Sequence, residues 1–133
     1  MTIANIDAAL YSKLIAASGV TALVSTKIYN LQAPAGATLP YIVFGMGSGL
    51  LDNRTPHQDL NHVYRIASWA STLLSAYTIQ AAIHDALHHQ SLSISGWNTF
   101  MVVQENLNTF IENIEGTQCF RVIGDYRIRA SLS

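Results

Sequence analysis

The stretch from Asn61 to His89 sets the terms for everything around it. Asn61-His62-Val63-Tyr64-Arg65-Ile66-Ala67-Ser68-Trp69 is rich in β-branched and aromatic side chains and reads as a strand. The chain then turns at Ala70-Ser71, and the Ser71 hydroxyl can accept a hydrogen bond from a first-turn amide of the helix that follows. Ala76, Ile79, Ile83, Ala86 and Leu87 recur at spacings of three and four, which is one face of a helix. A strand feeding such a helix must bury the helix's apolar stripe, most economically on a sheet.

The flanking segments fit the same plan. Ile3, Ile6, Leu10, Leu14 and Ala17 form the stripe of a first helix, with Tyr11 and Ile15 at its edge, and Gly19 is placed to end it as a left-handed cap. Val20–Val24 is one more helical turn or an apolar bridge, and Lys27-Ile28-Tyr29 is a short strand. Asn30–Leu39 reads as a loop because Pro34 and Gly36 break any periodicity. A strand follows at Pro40–Phe44, with proline tolerated at its start. Ser91–Gly96 is a loop or weak edge strand, and Asn98–Leu107 is a further strand. Asn108–Thr117 reads as a connection. In Gln118–Ala130, Phe120, Val122, Gly124, Tyr126 and Ile128 share one face, while Arg121, Ile123, Asp125, Arg127 and Arg129 share the other. Strands in runs, without regular alternation with helices, predict an α+β fold. The expectation is a mostly antiparallel sheet of four to five strands with two helices on one face, in a single domain over 1–133.

The least regular stretch is Gly47–Leu60, which joins two neighbouring strands and is far longer than a tight hairpin needs. It holds Asp52, Arg54, His57 and Asp59, a large share of the charge in this sequence. It is either a solvated loop or an arm that orders on a partner.

Half of the 133 residues are hydrophobic and only 11% are charged, against about 25% in an ordinary soluble domain. A membrane protein would explain this, but no apolar run approaches the ~20 residues of a spanning helix. Met1–Asp7 lacks the basic start and long apolar block of a signal peptide. The better expectation is an intracellular subunit that hides much of its surface against copies of itself, since charged residues are depleted in interface cores. A net charge of −1 gives no basic footprint for nucleic acid, and Asp125 breaks up the cluster of Arg121, Arg127 and Arg129.

Little here resembles a catalytic site. His84 and His88 stand four apart and could meet one metal from a helix face, as in a small metal-dependent enzyme. Asp85 follows where a zinc protease carries glutamate, however, and no third ligand is evident. Histidine charge near a helix C-terminus also suits the helix dipole. Gly45-Met46-Gly47-Ser48-Gly49 lacks the lysine and following helix of a phosphate loop. Cys119, the single cysteine, reads as a small buried hydrophobe. Trp69 and Trp97 read as core or interface anchors, because no basic track accompanies them. No catalytic, cofactor or metal residues are assigned.

Taken together the elements resemble the tail terminator (tail completion) proteins of long-tailed bacteriophages and prophages. The resemblance rests on the N-terminal amphipathic helix, Val20–Val24, Lys27–Tyr29 and the strand Leu39–Phe44. It continues with Val63–Ala70 running into the long helix, and the closing Phe120–Ile128. It implies a structural, non-enzymatic subunit that assembles into a ring, commonly a hexamer, in the virion at the head–tail interface. The ring would cap the tail tube, join the head connector and let DNA pass without specific binding. Another head–tail component, such as a stopper, an adaptor or a tail tube subunit, would show the same composition, and a monomeric binding module is a further alternative. The family motif fixes no contact residues. The interface candidates are therefore read from charge and position alone: Asp52, Arg54, His57, Asp59, Arg121, Arg127 and Arg129.

Overall fold

The computed structural model describes residues 3–53, 58–88, 93–94, 97–114 and 116–132, with side chains over 6–47, 61–88, 102–113 and 116–129. Three helices and six strands run in the order α1 (Ile3–Ala16), α2 (Ser18–Val24), β1 (Ile28–Asn30), β2 (Tyr41–Asn53), β3 (Gln58–Ala70), α3 (Leu73–Leu87), β4 (Ser93–Ile94), β5 (Trp97–Ile114) and β6 (Thr117–Leu132). All six strands belong to one sheet in the order β1-β2-β3-β6-β5-β4. Among the described residues only β1 and β2 pair in parallel; the other pairs are antiparallel. The fold is the expected α+β class, and β3 lies inside the sheet with α3 packed across it.

The helices cover one face. Even-numbered residues of β2, β3 and β6 point into the core: Ile42 and Phe44, then Tyr64, Ile66, Ser68 and Ala70, then Val122, Tyr126 and Ile128. Against them pack Ile6, Leu10 and Leu14 of α1, Val20 and Val24 of α2, and Ala76, Ile79, Ile83 and Leu87 of α3. Period two on the strands thus meets period three-to-four on the helices. Asp7 ties α1 to the sheet, accepting from Tyr64 Oη at 2.6 Å and from Asn30 Nδ2 at 3.1 Å. No single helix among the described residues is long and apolar enough to span a membrane.

Several boundaries differ from the sequence expectation. The helix break comes at Ala17, whose extended backbone (φ −80°, ψ 108°) separates α1 from α2. The two helices bend by 82°, and Gly19 lies inside α2 rather than capping α1. Val20–Val24 is helical and carries two buried valines. Thr72, not Ser71, caps α3: its hydroxyl accepts from the Ser75 amide at 3.2 Å.

The larger differences concern the two supposed connections. β2 runs to Asn53 and β3 begins at Gln58, with paired positions from Tyr41↔Trp69 to Asn53↔Gln58 and one irregularity between Met46 and Ser48. Most of 47–60 is therefore a regular hairpin arm and not a loop. Its glycines weaken strand propensity, but ladder hydrogen bonds to the partner strand override that weak prior. Asn108–Ile114 is likewise the end of β5, paired from Asn108↔Ile123 to Ile114↔Thr117. The connection has shrunk to two residues, with Gly116 at φ +82° supplying the left-handed conformation such a turn demands.

Candidate functional site

The sheet face opposite the helices is organised in rows across the strands. At one level Tyr41 pairs with Trp69, Trp69 with Arg121, and Arg121 with Phe110. The rings of Tyr41 and Trp69 stack at 5.8 Å, and Tyr29 meets Tyr41 edge-on at 5.9 Å. The Arg121 guanidinium lies 5.4 Å from the Trp69 ring and 4.7 Å from the Phe110 ring. Nη2 of Arg121 donates to Glu112 Oε1 at 2.9 Å. A planar cation between two aromatic rings, held by a carboxylate, links β3, β5 and β6 across this face.

Further along, the same face carries two more charge pairs. Arg65 Nε stands 3.4 Å from Asp125. Arg127 Nε donates to Glu105 Oε2 at 2.6 Å, and Arg127 Nη1 also donates to the Asn61 side chain. The bond to Glu105 pushes the Arg127 pKa further up. Beside these pairs lies a shallow groove of about 280 Å³ lined by Leu31, Tyr41, Val43, Ala67, Trp69 and Arg121 among others. Cys119 is fully buried, and burial with Glu112 nearby raises its thiol pKa.

The interface candidates fare unevenly. Arg121 and Arg127 are each bonded to a carboxylate of their own hairpin, Glu112 and Glu105. Arg129 is exposed, opposite Asn61 on β3 and Met101 on β5. Asp52 and Asp59 face each other across the arm as paired positions. Arg54 and His57 lie outside the described residues.

His84 and His88 stack with ring centres 4.4 Å apart. The Nδ1 of His88 accepts from the Gln104 backbone amide at 3.2 Å, which ties the C-terminal end of α3 to β5. Among the described residues no three His, Cys, Asp or Glu side chains are placed to hold a metal ion.

Two features escaped the sequence reading. The Trp69–Arg121–Phe110 sandwich depends on pairings between residues far apart in the chain, which no local pattern discloses. The β5–β6 hairpin did leave a signal, the Glu115-Gly116 pair between alternating segments.

The fold has known counterparts. Over 98% of this chain and 99% of the other, it matches a chain of the virion of a native gene transfer agent particle, with a TM-score of 0.78 and 21% identity. That likeness speaks to the fold alone. No curated protein matches. The family model of the tail completion protein gp17 matches residues 8–131. With nearly the whole chain aligned to that model, the protein belongs to the tail completion protein gp17 family.

Proposed function

We propose that this protein is a structural, non-catalytic component of a phage-type virion. In this reading it forms a ring, commonly of six copies, that caps the finished tail tube and joins it to the head connector. The observation that carries the reading is the family match over residues 8–131. The low charge fraction of 11% supports it, because a ring subunit covers two different patches with its neighbours. The charge pairing on the helix-free face supports it as well. Arg65, Arg121 and Arg127 each stand beside a carboxylate of the same chain, which weakens their pull on passing phosphates. The arm formed by β2 and β3 is the element we assign to the tail tube or to an adjacent subunit.

Negative-stain imaging of the purified protein, alone and mixed with tail tubes, tests this directly. Rings seated on one end of each tube are expected. Bare tube ends, with the protein bound elsewhere or not at all, would overturn the reading.

A further inference from the structure

The edges of the sheet are left open over most of their length. β1 covers β2 only at Ile42–Phe44, so β2 from Gly45 to Asn53 has no outer neighbour among the described residues. β4 covers β5 only at Trp97 and Asn98, so the sixteen residues from Thr99 to Ile114 are equally unpaired on their outer side. Natural proteins blunt such edges with bulges, here confined among the described residues to Met46/Ser48, Thr99/Met101 and Gln104/Asn106, and with lysine or proline. Neither residue type occurs in 45–53 or in 99–114. Two outward amides of β5 are stoppered by side chains: Gln104 donates to His88 Nδ1 at 3.2 Å, and Leu107 donates to Asn106 Oδ1 at 3.0 Å. Beyond the register shift between Gln104 and Asn106, counting by twos from Leu107 points the amides of Thr109 and Ile111 the same way.

Apolar exposure follows the same two edges. The most exposed large apolar side chains among the described residues are Leu74 (78%), Leu31 (75%) and Ile111 (66%). Ile111 is on β5. Leu74 lies one turn before Tyr77 on α3, and the Tyr77 hydroxyl is hydrogen-bonded to Thr109 of β5 at 2.8 Å, so these residues form one patch. Leu31 is on the far side of the sheet, directly after β1. It holds a left-handed backbone (φ +67°) with its amide bonded to Phe44 carbonyl at 2.7 Å.

We propose that copies of this chain join edge to edge. The β5 edge of one copy seats on the β1–β2 edge of the next, extending the sheet from subunit to subunit, with Leu74 and Ile111 covered at the seam on the helix side and Leu31 on the opposite side. The occupant is a second copy because the two patches lie on opposite edges of one sheet. A different partner, or a symmetric pair, would cover one patch and leave the other in water. Head-to-tail addition covers both in every subunit and closes by rotation. β2 and β5 run in opposite directions within the sheet. Copies related by rotation about an axis along the strands therefore bring these edges together antiparallel, in a strand-addition mode whose affinity comes from main-chain hydrogen bonds. The proposal rests on the ring reading above and names its subunit contact.

The test uses two variants of the full chain, Leu74→Lys with Ile111→Lys, and Leu31→Lys, measured by light scattering alone, mixed, and on tail tubes. The altered side chains are exposed, so circular dichroism and melting should match the unmodified protein. Each variant alone should stay a single chain, and an equal mixture should stop at a dimer, since one intact contact remains. If Leu31→Lys dimerises by itself, the contact is symmetric and the proposal is wrong. If both variants still form rings, or their loss touches only tube binding, the edges serve another partner; the proposal fails while the ring reading stands. An unmodified protein that never multimerises, alone or on tubes, removes both. Amide exchange on the unmodified protein needs no variant: the Thr109 and Ile111 amides should slow on assembly, and unchanged exchange there would overturn the proposal.

Discussion

Gln80 of α3 reaches the sheet at the one place where Gly124 makes room for it. Its Nε2 donates to the carbonyls of Ile66 at 2.6 Å and Val122 at 2.8 Å, bridging β3 and β6. A Cβ on Gly124 would lie 2.9 Å from Gln80 Oε1 and 2.8 Å from Tyr126 Cε1. The absent side chain thus lets a buried amide lock the helix to the two central strands.

Gly124→Ala should therefore destabilise the fold by about 1–3 kcal/mol, the usual cost of overpacking. Gln80→Leu should cost a similar amount by leaving two carbonyl contacts unmade. Urea denaturation checks both. A Gly124→Ala protein as stable as the parent would show that the helix shifts freely and that the lock is unimportant.

Stability should fall in mild acid through His62. This ring is buried, with Nδ1 3.0 Å from Met46 Sδ, and burial lowers its pKa. The unfolded chain takes up a proton near the ordinary value of about 6.5, before the folded chain does. The contribution of neutral His62 is thus complete above that pH and is lost as pH falls toward the depressed folded value. Melting of His62→Leu between neutral and mildly acid pH should show a shallower decline than the parent. Equal slopes would assign the acid sensitivity to other groups.

Arg121→Lys should lower stability by about 1 kcal/mol although the charge is kept. A lysine cannot lie flat between Trp69 and Phe110 while bonding Glu112. A double-mutant cycle with Glu112→Gln separates the ring contacts from the ion pair, which is part-exposed and contributes modestly. An unchanged melting temperature would mean that the sandwich is incidental.

Replacing Asp52–Asp59 by a short Asn-Gly turn should leave a folded protein, because β2 and β3 remain paired from Tyr41↔Trp69 to Leu51↔Leu60. Such a protein should fail to join tails to heads. Complementation of a tail-completion defect reads this out, and normal joining would free the arm of that role.

What the sequence determined by itself was local. Period two on 118–130 and period three-to-four on 71–87, with the β-branched and aromatic run at 61–69, specified the central strands, their helix and the α+β class. Those signals lie within a few residues, where spacing and side-chain type act directly. Tertiary structure decided the rest. Glycine-rich 47–53 and polar 108–114 became strand only because a partner strand completed their hydrogen bonds. Arg121 and Arg127 read as contact residues from charge alone; that Glu112 and Glu105 stand beside them follows from the register of β5 against β6. Register sums pairings over tens of residues, so no single stretch of chain carries it.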